Sequence, residues 1–313
     1  KRKNHPEGLI PDVMFGFYDS VVCRDHKTGE VMVFSSGFPE KGSLRSKRAA
    51  LKLKEIVEKL GAKPSDCIGK SREDGFLHSK DLSSNFSKKG YLDAIRKAKD
   101  YIAAGDIYQV NLSQRFKAKL AIEDWSLYKR LTKNFPVSFS ALFKTRDFSI
   151  MSASPERFLD FNGRIISTRP MKGTRKRTPD SRLNQKLKQD LIQSKKEKAE
   201  LLMIVDLERN DLGRVCDYGS IKVKQLRSIE AYSNVYQATA EIRGTLHKSK
   251  DRLDLIKACF PGGSVTGCPK IRAMEIIEEL EPDARSVYTG SLGYFSFHNT
   301  LQFNILIRSF LKK

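Results

Sequence analysis

Ser154-Pro-Glu-Arg-Phe158 and Thr168-Arg-Pro-Met-Lys-Gly-Thr174 are the two segments whose reading decides the fold of this chain. They place a carboxylate, Glu156, and an amine, Lys172, on two expected strand ends around a turn. That pairs a candidate general acid with a candidate nucleophile. Lys172 lies in a run dense with Arg164, Arg169, Arg175, Lys176 and Arg177, and cationic neighbours lower the cost of losing its proton. The plainer alternative is a solvated surface lysine, one of 58 lysines and arginines.

Working outward, short strands are expected near residues 138–143, 148–152, 157–161 and 164–168, and helix over roughly 180–212. Further strands are expected near 221–226 and 234–242, helices near 251–259 and 269–280, and a final hairpin over 286–310 turning at His298-Asn299. Toward the N-terminus, residues 12–23 and 30–36 alternate around a Thr28-Gly29 turn. Leu53, Ile56, Val57 and Leu60 then form a helical stripe that stops at Gly61. A polar segment with Pro64, Gly69 and Gly75 leads to a second helix carrying Tyr91, Ile95, Ala98 and Ile102 and ending at Gly105. Next, Tyr108, Val110 and Leu112 alternate with Gln109, Asn111, Ser113 and Arg115, a strand whose polar row lines either a cavity or a solvated face. Antiparallel strands interrupted by helix pairs predict an α+β fold, not a regularly alternating parallel sheet.

The length of 313 residues, with 39% hydrophobic content, is enough for one large domain or two smaller ones. No run approaches the roughly 18 apolar residues of a membrane helix, and Lys1-Arg-Lys-Asn-His5 is not followed by the apolar core of a signal peptide. No membrane partner is expected. Cys23, Cys67, Cys216, Cys259 and Cys268 form no C-x-x-C pair and the histidines are scattered, which argues against zinc and a disulfide framework and fits a cytoplasmic protein. The formal charge of +21 is spread along the chain. Only residues 164–188 are dense, with nine basic side chains against Asp180, and no aromatic residue lies among them for base stacking. A nucleic-acid partner is not expected.

Three other constellations suit chemistry. Glu197 and Glu200 stand three apart on one helix face and can hold magnesium, unless they merely pair with Lys196 or Lys198. Phe260-Pro-Gly-Gly-Ser-Val-Thr-Gly-Cys-Pro-Lys270 is a glycine-rich loop entering a helix whose first residues include Pro269, and it either binds an anion or makes a tight turn. Arg308 is expected within the last strand, on the face of Gln302, Asn304 and Leu306, where its fork suits a carboxylate of a ligand or of the protein.

Together with Gly105-Asp-Ile-Tyr-Gln-Val-Asn-Leu-Ser113, Ile204-Val-Asp-Leu-Glu-Arg-Asn-Asp-Leu-Gly-Arg214 and Ser291-Leu-Gly-Tyr294, these segments resemble the chorismate-utilising enzymes over about residues 90–310. Within them the chain most resembles component I of the aminodeoxychorismate synthases, on the 4-aminobenzoate branch toward folate. The resemblance implies a fold of two packed antiparallel β-sheets flanked by helices. It implies residues 1–80 as a partial N-terminal region and 81–313 as the chorismate-binding catalytic region. Relatives continue beyond the position of Lys313 into a Gly-Ala-Gly-Ile-Val segment and a helix with further magnesium-binding glutamates, so a fragment of the family domain is expected.

The implied reaction is amination of chorismate at carbon 4. Lys172 adds to ring carbon 2, Glu156 protonates the hydroxyl leaving carbon 4, and ammonia then attacks carbon 4 and expels the lysine. Anthranilate synthases usually carry alanine at the position of Lys172, while Tyr108 and Asn111 also resemble the carbon 4 branch. By resemblance Glu200 ligates Mg2+, with Glu197 acting through water, and Gly173, Thr174, Thr266, Tyr294 and Arg308 contact the substrate. Ammonia comes from a separate glutamine amidotransferase subunit, implying a heterodimer. Two departures stand out: Gln237 and Ala240 replace a His-x-x-Ser pair, and Cys268 replaces an alanine. Anthranilate formation, or chorismate binding with impaired catalysis, are the alternatives.

Overall fold

The computed structural model describes residues 10–61 and 81–313, which fall into two compact units. The smaller holds the antiparallel hairpin β1 (Ser20–Arg24) and β2 (Val31–Ser35), followed by α1 (Gly42–Gly61). The turn falls at Thr28-Gly29 as expected, but the first strand begins only at Ser20. The segment with Pro64, Gly69 and Gly75, and Cys67 within it, lies outside the described residues.

The larger unit begins with β3 (Ser83–Ser84), α2 (Lys88–Ala103), β4 (Gln109–Val110), β5 (Phe116–Lys117) and α3 (Asp124–Asn134). The strands β6 (Phe139–Lys144), β7 (Ser149–Ser154), β8 (Arg157–Asn162), β9 (Ile165–Arg169) and β10 (Met171–Lys176) follow. Helices α4 (Ser181–Gln193) and α5 (Lys195–Gly213) lead to β11 (Lys222–Ala231) and β12 (Val235–Thr245). The rest comprises α6 (Arg252–Cys259), β13 (Gly267–Cys268), α7 (Lys270–Leu280), β14 (Gly293–Phe295), β15 (Thr300–Asn304) and β16 (Ser309–Lys312).

These strands build the expected α+β architecture from antiparallel sheets. One sheet has seven strands ordered β10-β12-β9-β8-β15-β14, with β11 also paired to β12. A second has three, β16-β7-β6. β9 and β10 are in effect one strand interrupted by Pro170, which has no N–H to give the ladder but still accepts from Ala240 N–H at 3.1 Å. That interruption brings Lys172 onto the edge of β12, opposite Ala238.

α5 explains how carboxylates come to be buried here. Its inward stripe runs Leu201, Ile204, Val205, Glu208, Asp211 and Leu212, the 3.6-residue period of a core-facing helix, so two acids occupy core positions. Ser194 starts the helix by accepting from Glu197 N–H at 3.3 Å. The stripe packs with Phe158, Ile166, Ala238 and Ile242 from β8, β9 and β12. Each fully buried aliphatic side chain of this kind contributes about 1.5–3 kcal/mol.

Two expected strands differ. The run from Tyr108 to Leu112 yields only the two-residue β4, because its partner β13 is equally short. Its polar row is half-buried and partly bonded within the protein: Asn111 Nδ2 donates to Val265 O at 3.3 Å, and Ser113 N–H and Oγ donate to Glu281 Oε1 at 2.8 and 2.9 Å. The final hairpin turns at His298-Asn299 but ends at Asn304, where the register against β8 shifts. Buried Asn304 accepts from Leu292 N–H and donates to Phe139 O, both at 3.0 Å, fastening the chain between the sheets. Arg308 therefore lies outside any strand, in the left-handed region at φ 49°, before β16 joins β7.

Candidate active site

The corner between β7 and β8 holds Glu156. Ser154 Oγ accepts its N–H at 3.2 Å, and its carbonyl accepts Ile305 N–H at 3.1 Å, so the backbone is fixed on both sides. The side chain is 3% exposed, and its Oε1 has no hydrogen-bond partner among the described residues. Burial pushes the carboxyl up to about 7, against the Ser264 hydroxyl, the Lys172 charge and the Met171 N–H.

The side chain of Lys172, on β10, has no hydrogen bond or ion pair among the described residues, and its charge acts on Glu156. The structure thus brings together the two groups singled out in the sequence. The cationic surroundings are corrected, however. Arg164 pairs with Asp217 at 2.9 Å, Arg169 with Glu230, and Arg175 with Asp190 at 2.5 Å and Glu197 at 3.1 Å, while Arg177 donates to Tyr232 O. These arginines are neutralised by carboxylates or spent on a carbonyl, because α4, α5, the turn after α5 and β11 supply acids that local sequence spacing hides.

Gly173 sits at a bulge with φ 82°, between the Lys172–Ala238 and Thr174–Gln237 pairings. A Cβ there would meet Glu197 Oε2 at 2.8 Å and Leu191 Cδ1 at 3.0 Å. Only glycine lets the Glu197 carboxylate approach this turn without strain. Thr174 is exposed, and Gln237 beside it keeps a buried Oε1 without a partner. Glu200, one turn along α5, is partly exposed and 3.9 Å from Lys196. No three acidic, histidine or cysteine side chains converge as a metal nest among the described residues.

The glycine-rich loop does not form an open anion cradle. Residues 262–267 are buried, Pro269 caps α7 from outside the helix, and Lys270 turns inward. Thr266, expected to contact substrate, is 3% exposed and donates its hydroxyl to Gly262 O at 3.1 Å. Tyr294 lies half-exposed on β14 opposite Gln302. The Arg308 guanidinium stacks 5.0 Å over the Phe135 ring, and burial pushes it below the usual arginine range. Among the described residues, no contact joins Tyr294 or Arg308 to Glu156 or Lys172.

Two groups escaped the sequence reading. Ser264 is buried in the loop, and its hydroxyl has no hydrogen-bond partner among the described residues. Glu208 is buried on α5 with Thr168 Oγ1 donating to its Oε2 at 2.8 Å. Burial pushes Glu208 up to about 8 against that hydrogen bond, helped by the Glu156 and Asp211 charges. Its position in the apolar stripe of α5 was the available signal. A cavity of about 310 Å3, lined by Pro155, Arg169, Met171, Glu230, Tyr232 and Thr239 among others, adjoins the residues preceding Glu156 and Lys172 but contains neither.

The site therefore combines a carboxyl that burial pushes up to about 7 with an unpaired amine whose charge reaches it, on an antiparallel α+β scaffold. The chain matches the family of chorismate binding enzymes over residues 1–313 and belongs to it. It is 40% identical to aminodeoxychorismate synthase component 1 of Bacillus subtilis over 299 residues, covering 96% of this chain and 62% of that protein. It is 38% identical to anthranilate synthase component 1 of Aquifex aeolicus, covering 95% of this chain and 60% of that one. The chain thus spans about three-fifths of the length of these relatives. The crystal structure of anthranilate synthase component I from Streptococcus pneumoniae superposes with a TM-score of 0.82 at 29% identity, over 98% of this chain and 69% of that one.

Proposed function

We propose that this chain aminates chorismate at carbon 4, as component I of an aminodeoxychorismate synthase, with ammonia supplied by a glutamine amidotransferase subunit. The observation that carries the reading is the buried Glu156 carboxyl lying within electrostatic reach of the Lys172 side chain, which has no hydrogen bond or ion pair among the described residues. In this reading Lys172 first loses its proton to solvent, and its neutral amine adds to carbon 2 of the ring while the Glu156 carboxyl gives its proton to the hydroxyl leaving carbon 4 as water. A carboxyl that titrates near 7 is half protonated at neutral pH, the condition for a general acid. Ammonia then bonds to carbon 4, the bond from Lys172 to carbon 2 breaks, and the Glu156 carboxylate takes back a proton from the new ammonium. Relatives named aminodeoxychorismate synthase component 1 over 96% of the chain support it.

Glu200 and Glu197 would hold magnesium, which when bound supplies a positive charge for a carboxylate of the substrate. Two carboxylates suit an ion that completes its shell with water and substrate oxygens, and Gly173 leaves space for the Glu197 carboxylate. Arg175 orients Glu197 from the other side.

Anthranilate formation is the second reading, favoured by the 38% identity to anthranilate synthase component 1 of Aquifex aeolicus. Incubation with chorismate, magnesium and ammonium, with chromatography and mass spectrometry against both aminated standards, separates the two. Carbon 4 product that falls at least a hundredfold in Lys172→Ala is expected, on the order of the loss of a nucleophile. Anthranilate as the product, or undiminished carbon 4 product from the variant, rejects the first reading.

A further inference from the structure

Lys172 stands on a short piece of ladder. β9 and β10 keep one register against β12 across Pro170, with Thr168 opposite Ile242 before the proline and Met171 and Lys172 opposite Thr239 and Ala238 after it. Directly opposed residues of an antiparallel ladder exchange hydrogen bonds at every second pair. Pro170 and Ala240 form such a pair, but the proline has no N–H, so only the bond from Ala240 N–H to Pro170 O, at 3.1 Å, is made. Lys172 and Ala238 form the next bonding pair, and beyond them the bulge at Gly173 shifts the register. The pair that carries Lys172 is therefore flanked by a weakened pair on one side and a bulge on the other.

The Glu230 carboxylate, near the end of β11, ties the strands together across this weak point. Its Oε1 accepts from Arg169, the last residue before Pro170, and from Thr239 Oγ1 at 2.8 Å, and Thr239 stands opposite Met171 on the far side of the proline. Its Oε2 accepts from Tyr232 Oη at 2.9 Å. Glu230 is itself in the ladder, opposite Gln237. One carboxylate thus links β9, β11 and β12 around the missing bond, and hydrogen bonds to a charged group are roughly twice as strong as neutral ones. Lys172 is not among these partners of Glu230, so the effect on its amine passes through the backbone.

We propose that Glu230 is a positioning residue for Lys172: with Arg169, Thr239 and Tyr232 it stands in for the ladder bond that Pro170 removes, and so fixes where the amine stands. This rests on the reading of Lys172 as the nucleophile. A displacement of about 1 Å at a reacting group costs on the order of a hundredfold in rate, so a fastening this close along the chain bears on turnover. Glu230 has no role in holding substrate, so its loss lowers kcat and leaves KM.

The test reads the fastening and the chemistry separately, in the full chain. Amide hydrogen exchange without substrate, resolved to single residues by NMR, follows Lys172 against Ile166 and Ile242, which lie beyond Pro170 in the same ladder. Glu230→Gln should speed exchange at Lys172 by on the order of tenfold and leave the two isoleucines unchanged. Thr239→Val, which removes one donor and keeps the shape, should act in the same direction and carries the test if Glu230→Gln does not fold. Thr239→Ser, which keeps the hydroxyl, should exchange like the wild type. Assayed for carbon 4 product, Glu230→Gln and Thr239→Val should lose on the order of tenfold in kcat with an unchanged KM for chorismate. Wild-type exchange at Lys172 in the folded variants, equal acceleration at all three amides, or faster exchange with an undiminished kcat would each overturn the proposal. A failure of the amination reading shows separately, as undiminished carbon 4 product in Lys172→Ala, and leaves the exchange result standing.

Discussion

Gly173 and Glu197 are packed so closely that a Cβ on the glycine would lie 2.8 Å from the glutamate Oε2. The glycine also has φ 82°, where an L side chain is strained. Gly173→Ala therefore meets two obstacles at once, and it should lower stability by about 1–3 kcal/mol while displacing Glu197 from its place against residue 173. Urea unfolding measures the first effect; a wild-type midpoint would mean that the turn relaxes freely.

Glu200 and Glu197 differ in what already holds them. Arg175 binds Glu197 at 3.1 Å, whereas among the described residues Glu200 has only the loose 3.9 Å contact with Lys196. If the two share magnesium, Glu200→Gln should raise the magnesium concentration for half-maximal activity more than tenfold, and Glu197→Gln by about tenfold. Activity in both variants with the wild-type magnesium dependence would remove them from the metal site.

Glu156 and Glu208 make stability depend on pH with a definite sign. Both folded-state values are raised from 4.5, to about 7 and about 8, so the folded chain holds protons that the unfolded chain has lost. Their contribution is fully present below about pH 4.5 and is lost as pH rises through 7 and then 8. Glu208→Gln should flatten this decline between pH 5 and 8.5 by on the order of a few kcal/mol, read from denaturant midpoints across that range. An unchanged slope would mean that Glu208 titrates normally.

Much of this was legible in the sequence because it was local. The short strands expected on either side of Ser154-Pro-Glu156 and before Thr168-Arg-Pro-Met-Lys172 are present, and the apolar stripes over residues 53–60 and 91–102 fall on α1 and α2. Glu156 and Lys172 could be singled out because the first stands between two strands and the second near the start of another. What stayed hidden depends on contacts far apart in the chain. Asn304 fastens to Phe139 O and ends a strand that alternation alone would extend to Arg308. Asp217, Glu230 and Asp190 neutralise arginines that looked like a cationic cluster. Ser264 and Thr266, two residues apart in one loop, have hydroxyls with opposite fates, which only the folded loop distinguishes.

The general-acid role makes a separate demand on the pH profile. If the protonated Glu156 carboxyl is needed, the rate should fall as pH rises through about 7, and Glu156→Gln should lose both the activity and that limb. A profile flat from pH 6 to 9 would assign the proton to another group.

The most direct measurement is the mass of the Lys172-containing peptide after incubation with chorismate and magnesium without ammonia. A nucleophilic Lys172 predicts an adduct of chorismate less one water on that lysine, discharged as carbon 4 product when ammonium is added. No adduct on Lys172, with carbon 4 product still formed at the wild-type rate by Lys172→Ala, would contradict the assignment.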